Sequence, residues 1–317
     1  MHIKSIISVL LIVFCCAFFS GCGEEESVAK ETKATKEKAP DENAALRDST
    51  PKVLQTSASG EVVYGNDILT FDVSHTDQGY FMLEYRGDND TVRMQVETPS
   101  GLVYTYAIQN KNVYEAFPLP DGNGAYKLKL LENIEGKTYA ISFVQDIEVT
   151  LADEFLPFLY PSQYVNFTAE TQAVEVAKKE VSSAKNDLDA VAAVYHYIIK
   201  NIDYDKQKAE SVVYGYLPNL DDTLTTKKGI CFDYAALMAA MLRTQGIPTK
   251  LETGYASTVY HAWISTYITD VGWIDKIIEF DGQSWTMMDP TFAANSKNES
   301  LKKYIGDSSN YNTEYIY

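Results

Sequence analysis

Cysteine is scarce in this chain, and its placement excludes more than its number does. Of four cysteines, Cys15, Cys16 and Cys22 lie in or at the end of an N-terminal apolar run, which leaves Cys231 alone in the rest. A single thiol can build neither an intramolecular disulfide framework nor a cysteine zinc cluster. Histidine is sparse as well, four in 317 residues, with no ordered ligand spacing to carboxylates. No glycine-rich phosphate loop occurs. The sequence thus implies no metal and no cofactor. Basic residues also fall short: 27 Lys and Arg against 44 Asp and Glu give a net charge of −17. That balance excludes nucleic acid as a partner and opposes adsorption on an anionic membrane face. Disorder is excluded in turn by 45% hydrophobic residues and 23 tyrosines, which suffice for two modest folded domains.

The one long apolar run is N-terminal. Residues 1–21 read as a secretory signal, with Lys4 as its positive region and an uncharged stretch from Ile6 to Phe19. Phe19-Ser20-Gly21-Cys22 resembles a bacterial lipobox, with Phe19 where Leu is usual, so Cys22 is the expected lipidation site. An uncleaved membrane helix is the competing reading, because the run is barely long enough to span. Residues 22–57 read as a lipidated, charged, flexible linker; Glu24 to Lys52 has no aromatic residue and cannot bury enough surface to offset its ordering entropy. About 30 such residues average roughly 30 Å end to end and stretch to roughly 100 Å. Loss of residues 1–21 removes one lysine and takes the charge to −18. The expected location is the extracytoplasmic face of the cell membrane, held there by lipid on Cys22.

The remainder reads as α+β in two parts. Residues 58–152 carry short strand-like runs at 68–73, 80–85, 92–96, 103–108, 125–130 and 138–151, broken by Gly, Asn, Asp and Pro. This spacing predicts an antiparallel β-sandwich serving as a spacer or adhesive domain. Asp121, Asn123 and Glu132 echo a calcium loop, but Tyr126 stands where a turn glycine is needed, so a hairpin turn is expected. Residues 153–317 form the second part. Asn186 caps a predicted helix with Leu188, Val191, Tyr195, Ile198, Ile199 and Ile202 on one stripe and His196 off it. Residues 203–229 read as a long loop.

Cys231 then opens an amphipathic helix ended by Gly246 and Pro248. A free cysteine is often only a buried core residue. Here, however, a helix N-terminus favours thiolate. His261 follows 30 residues later on an alternating strand, with Trp263, Ser265 and Tyr267 on its face, and Asp289 another 28 residues on, at a strand end. A histidine beside the thiol can hold it as an ion pair, and a carboxylate can orient that histidine. Asp233, in the first helical turn, would oppose a thiolate if it faced inward and is expected to point outward.

Gly229-Ile230-Cys231-Phe232-Asp233-Tyr234-Ala235, His261-Ala262-Trp263 and Met288-Asp289-Pro290-Thr291 together resemble the core of the transglutaminase-like superfamily, over residues 185–295. The resemblance implies a papain-like layout of helices on an antiparallel sheet. It further implies Cys231 as nucleophile, His261 as general base and acid, and Asp289 as the group orienting His261. The implied chemistry is attack on a protein or peptide carboxamide, with acyl transfer from sulfur to an amine or water. The Cys231 N–H would be one oxyanion donor; Tyr204, Tyr214, Tyr216 and Asn219 are candidates for the second. The alternative is a catalytically silent binding or assembly module that keeps the fold.

Overall fold

A computed structural model describes residues 45–256, 258–269, 271–275, 278–280, 285–287 and 311–317. Cys22 and Asp289 lie outside the described residues. The first half is β. The chain runs through β1 (Val63–Asn66), β2 (Leu69–Asp72), β3 (Tyr80–Tyr85), β4 (Val92–Glu97), β5 (Val103–Ala107), β6 (Tyr114–Pro118), β7 (Gly124–Glu135) and β8 (Thr138–Val149). They form two four-stranded antiparallel sheets, ordered β1-β2-β3-β6 and β5-β4-β7-β8. Burial alternates along β4 and β5, as one solvated face requires. The buried faces meet through aromatic rings: Phe71 and Phe143 are 5.8 Å apart between centres, Tyr106 and Phe117 5.0 Å. Two strands escape the sequence pattern. β1 is exposed throughout, and so shows no alternation; β6 is short and ends in Pro118. The Asp121 turn, expected to close a hairpin, instead carries the chain from β6 in one sheet to β7 in the other, which do not pair with each other; Asn123 accepts from the Leu151 N–H at 2.8 Å.

The second half is mixed. α1 (Gln172–Glu180), α2 (Asp187–Asn201), β9 (Asp203–Tyr204), α3 (Lys206–Ser211), α4 (Leu220–Thr226), β10 (Lys228–Gly229) and α5 (Cys231–Arg243) precede a second run of strands. Asn186 caps α2 as expected, its Oδ1 accepting from the Asp189 N–H at 2.9 Å. His196 is exposed. The expected long loop at 203–229 is instead built from short elements, α4 being capped by Asn219. Then come β11 (Thr249–Ala256), β12 (Val259–Ile268), β13 (Gly272–Ile274), β14 (Ile278–Phe280), β15 (Trp285–Met287) and β16 (Tyr311–Ile316). The main sheet is antiparallel, ordered β13-β12-β11-β16, and β14 pairs with β15.

α5 is the axis of this half. It is not amphipathic: every residue from Asp233 to Arg243 is buried. Helices α1, α2 and α4 and strands β11 and β12 all pack on it. A helix apolar all round belongs inside a core, and Ala235, Ala236, Ala239 and Ala240 let the neighbours approach. The helix ends where Gly246 takes φ +72°, a left-handed conformation glycine adopts freely. Arg243, fully buried, donates to three backbone carbonyls: Thr249 at 2.9 Å, Tyr160 at 2.8 Å and Tyr317 at 2.8 Å. It thereby ties the helix end to the start of β11, to the residue after β16 and to the segment before α1.

The two halves share one apolar core within the compact unit Ala44–Tyr317. Tyr104 on β5 packs on Tyr315 and Tyr317 beside β11, at 5.2 and 5.5 Å. The end of the expected linker is also fastened. Arg47 N–H donates to the Ala184 carbonyl at 2.8 Å, its guanidinium meets Asp187 at 2.5 Å, and Lys52 N–H reaches the Thr244 carbonyl at 2.7 Å.

Candidate active site

Cys231 is the first residue of α5, with Ile230 in an extended conformation as its N-cap. This cap lacks the usual Ser, Thr, Asn or Asp. The Asp233 carboxylate takes that place, its Oδ2 accepting from the Ile230 N–H at 2.8 Å. Asp233 therefore points inward and is fully buried, contrary to the outward placement expected from sequence. Two further partners explain how a carboxylate is tolerated there. Lys208 on α3 donates to Oδ2 at 2.8 Å, and the Tyr216 hydroxyl donates to Oδ1. Gly229 makes room, because a Cβ there would sit 2.8 Å from Asp233 Cβ.

On the other side, β12 packs against α5. Alternation sends Ala262 and Ile264 into the shared core and gives His261, Trp263 and Ser265 the other parity. The His261 and Trp263 rings stack at 6.4 Å. The buried Glu252, opposite Trp263 in register, accepts from Trp263 Nε1 at 3.1 Å, from Thr313 at 2.9 Å and from the Ser265 hydroxyl. This fixes the strand just beyond His261.

Cys231 and His261 line one cavity of about 570 Å³, within the size range of ligand sites. The backbone N–H groups of Ala262 and Phe232 favour the thiolate form of Cys231. Among the described residues no hydrogen bond joins the thiol to the imidazole, and His261 Nε2 is buried with no partner. A buried ring nitrogen without a partner is a position that a carboxylate or amide would satisfy. Asp289, the residue expected there, lies outside the described residues. The described neighbours of β12 are β11 and β13.

Burial governs the charge state of the pair. It pushes the Cys231 thiol up, outweighing the N–H groups that pull it down, and Asp233 adds to the rise. Burial also lowers His261 to about 4. A helix terminus contributes roughly 0.3–1 kcal/mol, whereas burying an unpaired charge costs several kcal/mol. The pair therefore rests as thiol and neutral imidazole, not as the ion pair expected from sequence. Of the candidate second oxyanion donors, Tyr204, Tyr214 and Tyr216 line the cavity. Tyr216 already donates to Asp233, and Asn219, whose Oδ1 caps α4, is not among the described residues lining the cavity. The sequence reading missed Lys208, whose lysine-rich helix resembles solvated surface.

Residues 174–290 match the family model of the transglutaminase-like superfamily. This stretch is a transglutaminase-like domain. Its span holds α5, β12 and all three residues of the expected triad. Solved structures similar to the chain include a candidate cysteine protease from Cytophaga hutchinsonii, at 18% identity over 81% of this chain and 73% of that one, with a TM-score of 0.36. The periplasmic domain of TgpA from Pseudomonas aeruginosa is 15% identical over 76% of this chain and 99% of that one, TM-score 0.32. Red sea bream transglutaminase is 12% identical over 67% and 48%, TM-score 0.25. No curated protein matches the chain in sequence. The transglutaminase-like domain begins within α1, so β1–β8 fall outside the match.

Proposed function

We propose that the chain is a lipid-anchored cysteine enzyme acting on protein or peptide amides outside the cell membrane. The observation that carries this reading is the single thiol of the folded part, at the start of a buried helix, sharing one cavity with His261. Cys231 sulfur attacks the carboxamide carbon as its proton passes to His261. The C–N bond breaks, and His261 returns the proton to the departing amine. Water or a second amine then takes the acyl group from sulfur. The Cys231 N–H faces the developing oxyanion as first donor, and Asp289 orients His261. Because the thiol rests protonated, His261 acts as a general base during attack. The segment bearing Val212 to Tyr216 walls the cavity instead of filling it, which supports an enzyme over an occluded site.

A catalytically silent binding module is the second reading, favoured by the neutral pair and by the missing thiol–imidazole hydrogen bond. One experiment separates the two. Mature protein is incubated with a glutamine-containing peptide, acid-quenched and analysed by intact mass. The enzyme reading expects an adduct on Cys231 equal to the peptide less ammonia, and far less of it in His261→Ala. A folded protein giving no adduct supports the silent module.

A further inference from the structure

Resting on the reading of Cys231 as an acylating thiol, we propose that its cavity selects polypeptide carboxamides flanked by aromatic or aliphatic side chains and rejects charged neighbours. The lining is aromatic: Tyr164, Tyr204, Tyr214, Tyr216, Tyr260 and Tyr317 face it, with Phe232 beside the thiol. Among the described residues that line it there is no Asp, Glu, Lys or Arg. Composition does not explain this, since 22% of the chain is charged. The nearby charges are engaged elsewhere. Asp233 and Lys208 pair with each other, and Arg93 lies over the rings of Tyr139 and Tyr214 at 4.1 and 4.8 Å. Burial also keeps the phenols neutral, Tyr204 being pushed up to about 12 and Tyr164 higher still.

A charged side chain entering this cavity would lose its water and meet no counter-ion among the described lining residues. An aromatic or aliphatic one would meet ring faces and methyl groups. The mouth adds a second observation. Val213 is 75% exposed, Tyr214 65%, Val259 64% and Tyr260 50%. They come from two elements, the segment after α3 and the start of β12, and face one opening. Apolar side chains left in water around a concave site mark a recognition surface. A carboxamide fills only a small part of about 570 Å³, which leaves room for the side chain next to it. The acyl chemistry is unchanged; the neighbour is read, not altered.

The test uses chloroacetyl-capped tripeptide amides of equal length carrying Phe-Leu, Asp-Glu or Lys-Lys, with labelling of Cys231 followed by intact mass on the mature chain. Phe-Leu should label at least about tenfold faster than either charged probe, the factor that about 1.4 kcal/mol of uncompensated desolvation gives. Val213→Asp, at an exposed position, should narrow the gap between Phe-Leu and Lys-Lys by placing a carboxylate at the mouth. Rates within threefold of one another, or faster charged probes, would overturn the selectivity and leave the acylating thiol standing. Failure of every probe and of iodoacetamide to label folded protein would overturn both readings, because the thiol would then be out of reach.

Discussion

At the residue scale, burial of His261 links the site to pH. The imidazole is held at about 4 against an ordinary 6.5. Between these values the unfolded chain binds the proton and the folded one does not, so stability rises with pH across that window and falls on acidification from 6.5 toward 4. The shift corresponds to a loss on the order of 3 kcal/mol at pH 4. Urea unfolding of wild type and His261→Gln at pH 7 and pH 4.5 isolates this contribution. Wild type should lose more than the variant, and equal losses would contradict the buried neutral imidazole. The thiol makes a matching demand. Iodoacetamide should label Cys231 more slowly than a free thiol at pH 7, with a rate that climbs above pH 9; a plateau below pH 7 would mean a preformed ion pair. Cys231 and His261 were legible because a lone cysteine at a helix start and a histidine on an alternating strand are local patterns. Their charge state was not, because desolvation depends on what packs around them.

At the element scale, the Asp233 clamp joins the first turn of α5 to α3 and to the Tyr216 segment that walls the cavity. Removing a buried carboxylate leaves Lys208, Tyr216 and the Ile230 N–H short of a partner. Asp233→Ala should therefore cost about 3 kcal/mol or more, and Asp233→Asn less, since the amide oxygen can still accept from Ile230. Chemical denaturation with hydrogen exchange over residues 206–216 checks both the loss and its location. Unchanged exchange there would remove the clamp from the account. The same residue shows where sequence reading stopped. Asp233 in a first helical turn suits the dipole in either orientation, and only Lys208, 25 residues earlier, decides that it turns inward. Strand β4 was legible from its alternation, β3 from a short apolar run ended by a Gly-Asp-Asn-Asp turn signal, and the cap of α2 from Asn186. α5 was misread as amphipathic because a helix covered on all sides differs from a half-covered one only in what surrounds it. The short helices at 206–211 and 220–226 carry too few turns to show a period.

At the scale of the whole molecule, the β half is more than a neighbour of the transglutaminase-like half. Ala107 lines the cavity, Gln109 donates to the Gly215 carbonyl at 2.7 Å, and Tyr104 packs on Tyr315 and Tyr317. The sheets thus brace the cavity wall, a role that spacing and turn signals alone did not disclose. The proposed anchor has its own test. Cys22→Ala should yield an unprocessed precursor that takes no label from a fatty-acid analogue, while equal label in both proteins would favour a membrane helix. The account stands or falls on the thiol. Amine release from a glutamine-containing peptide, measured for wild type and Cys231→Ala with circular dichroism confirming the fold of each, tests it most directly. The account predicts release by wild type and none above background by Cys231→Ala, because no other thiol stands in the folded part; full release by a folded Cys231→Ala protein would contradict it.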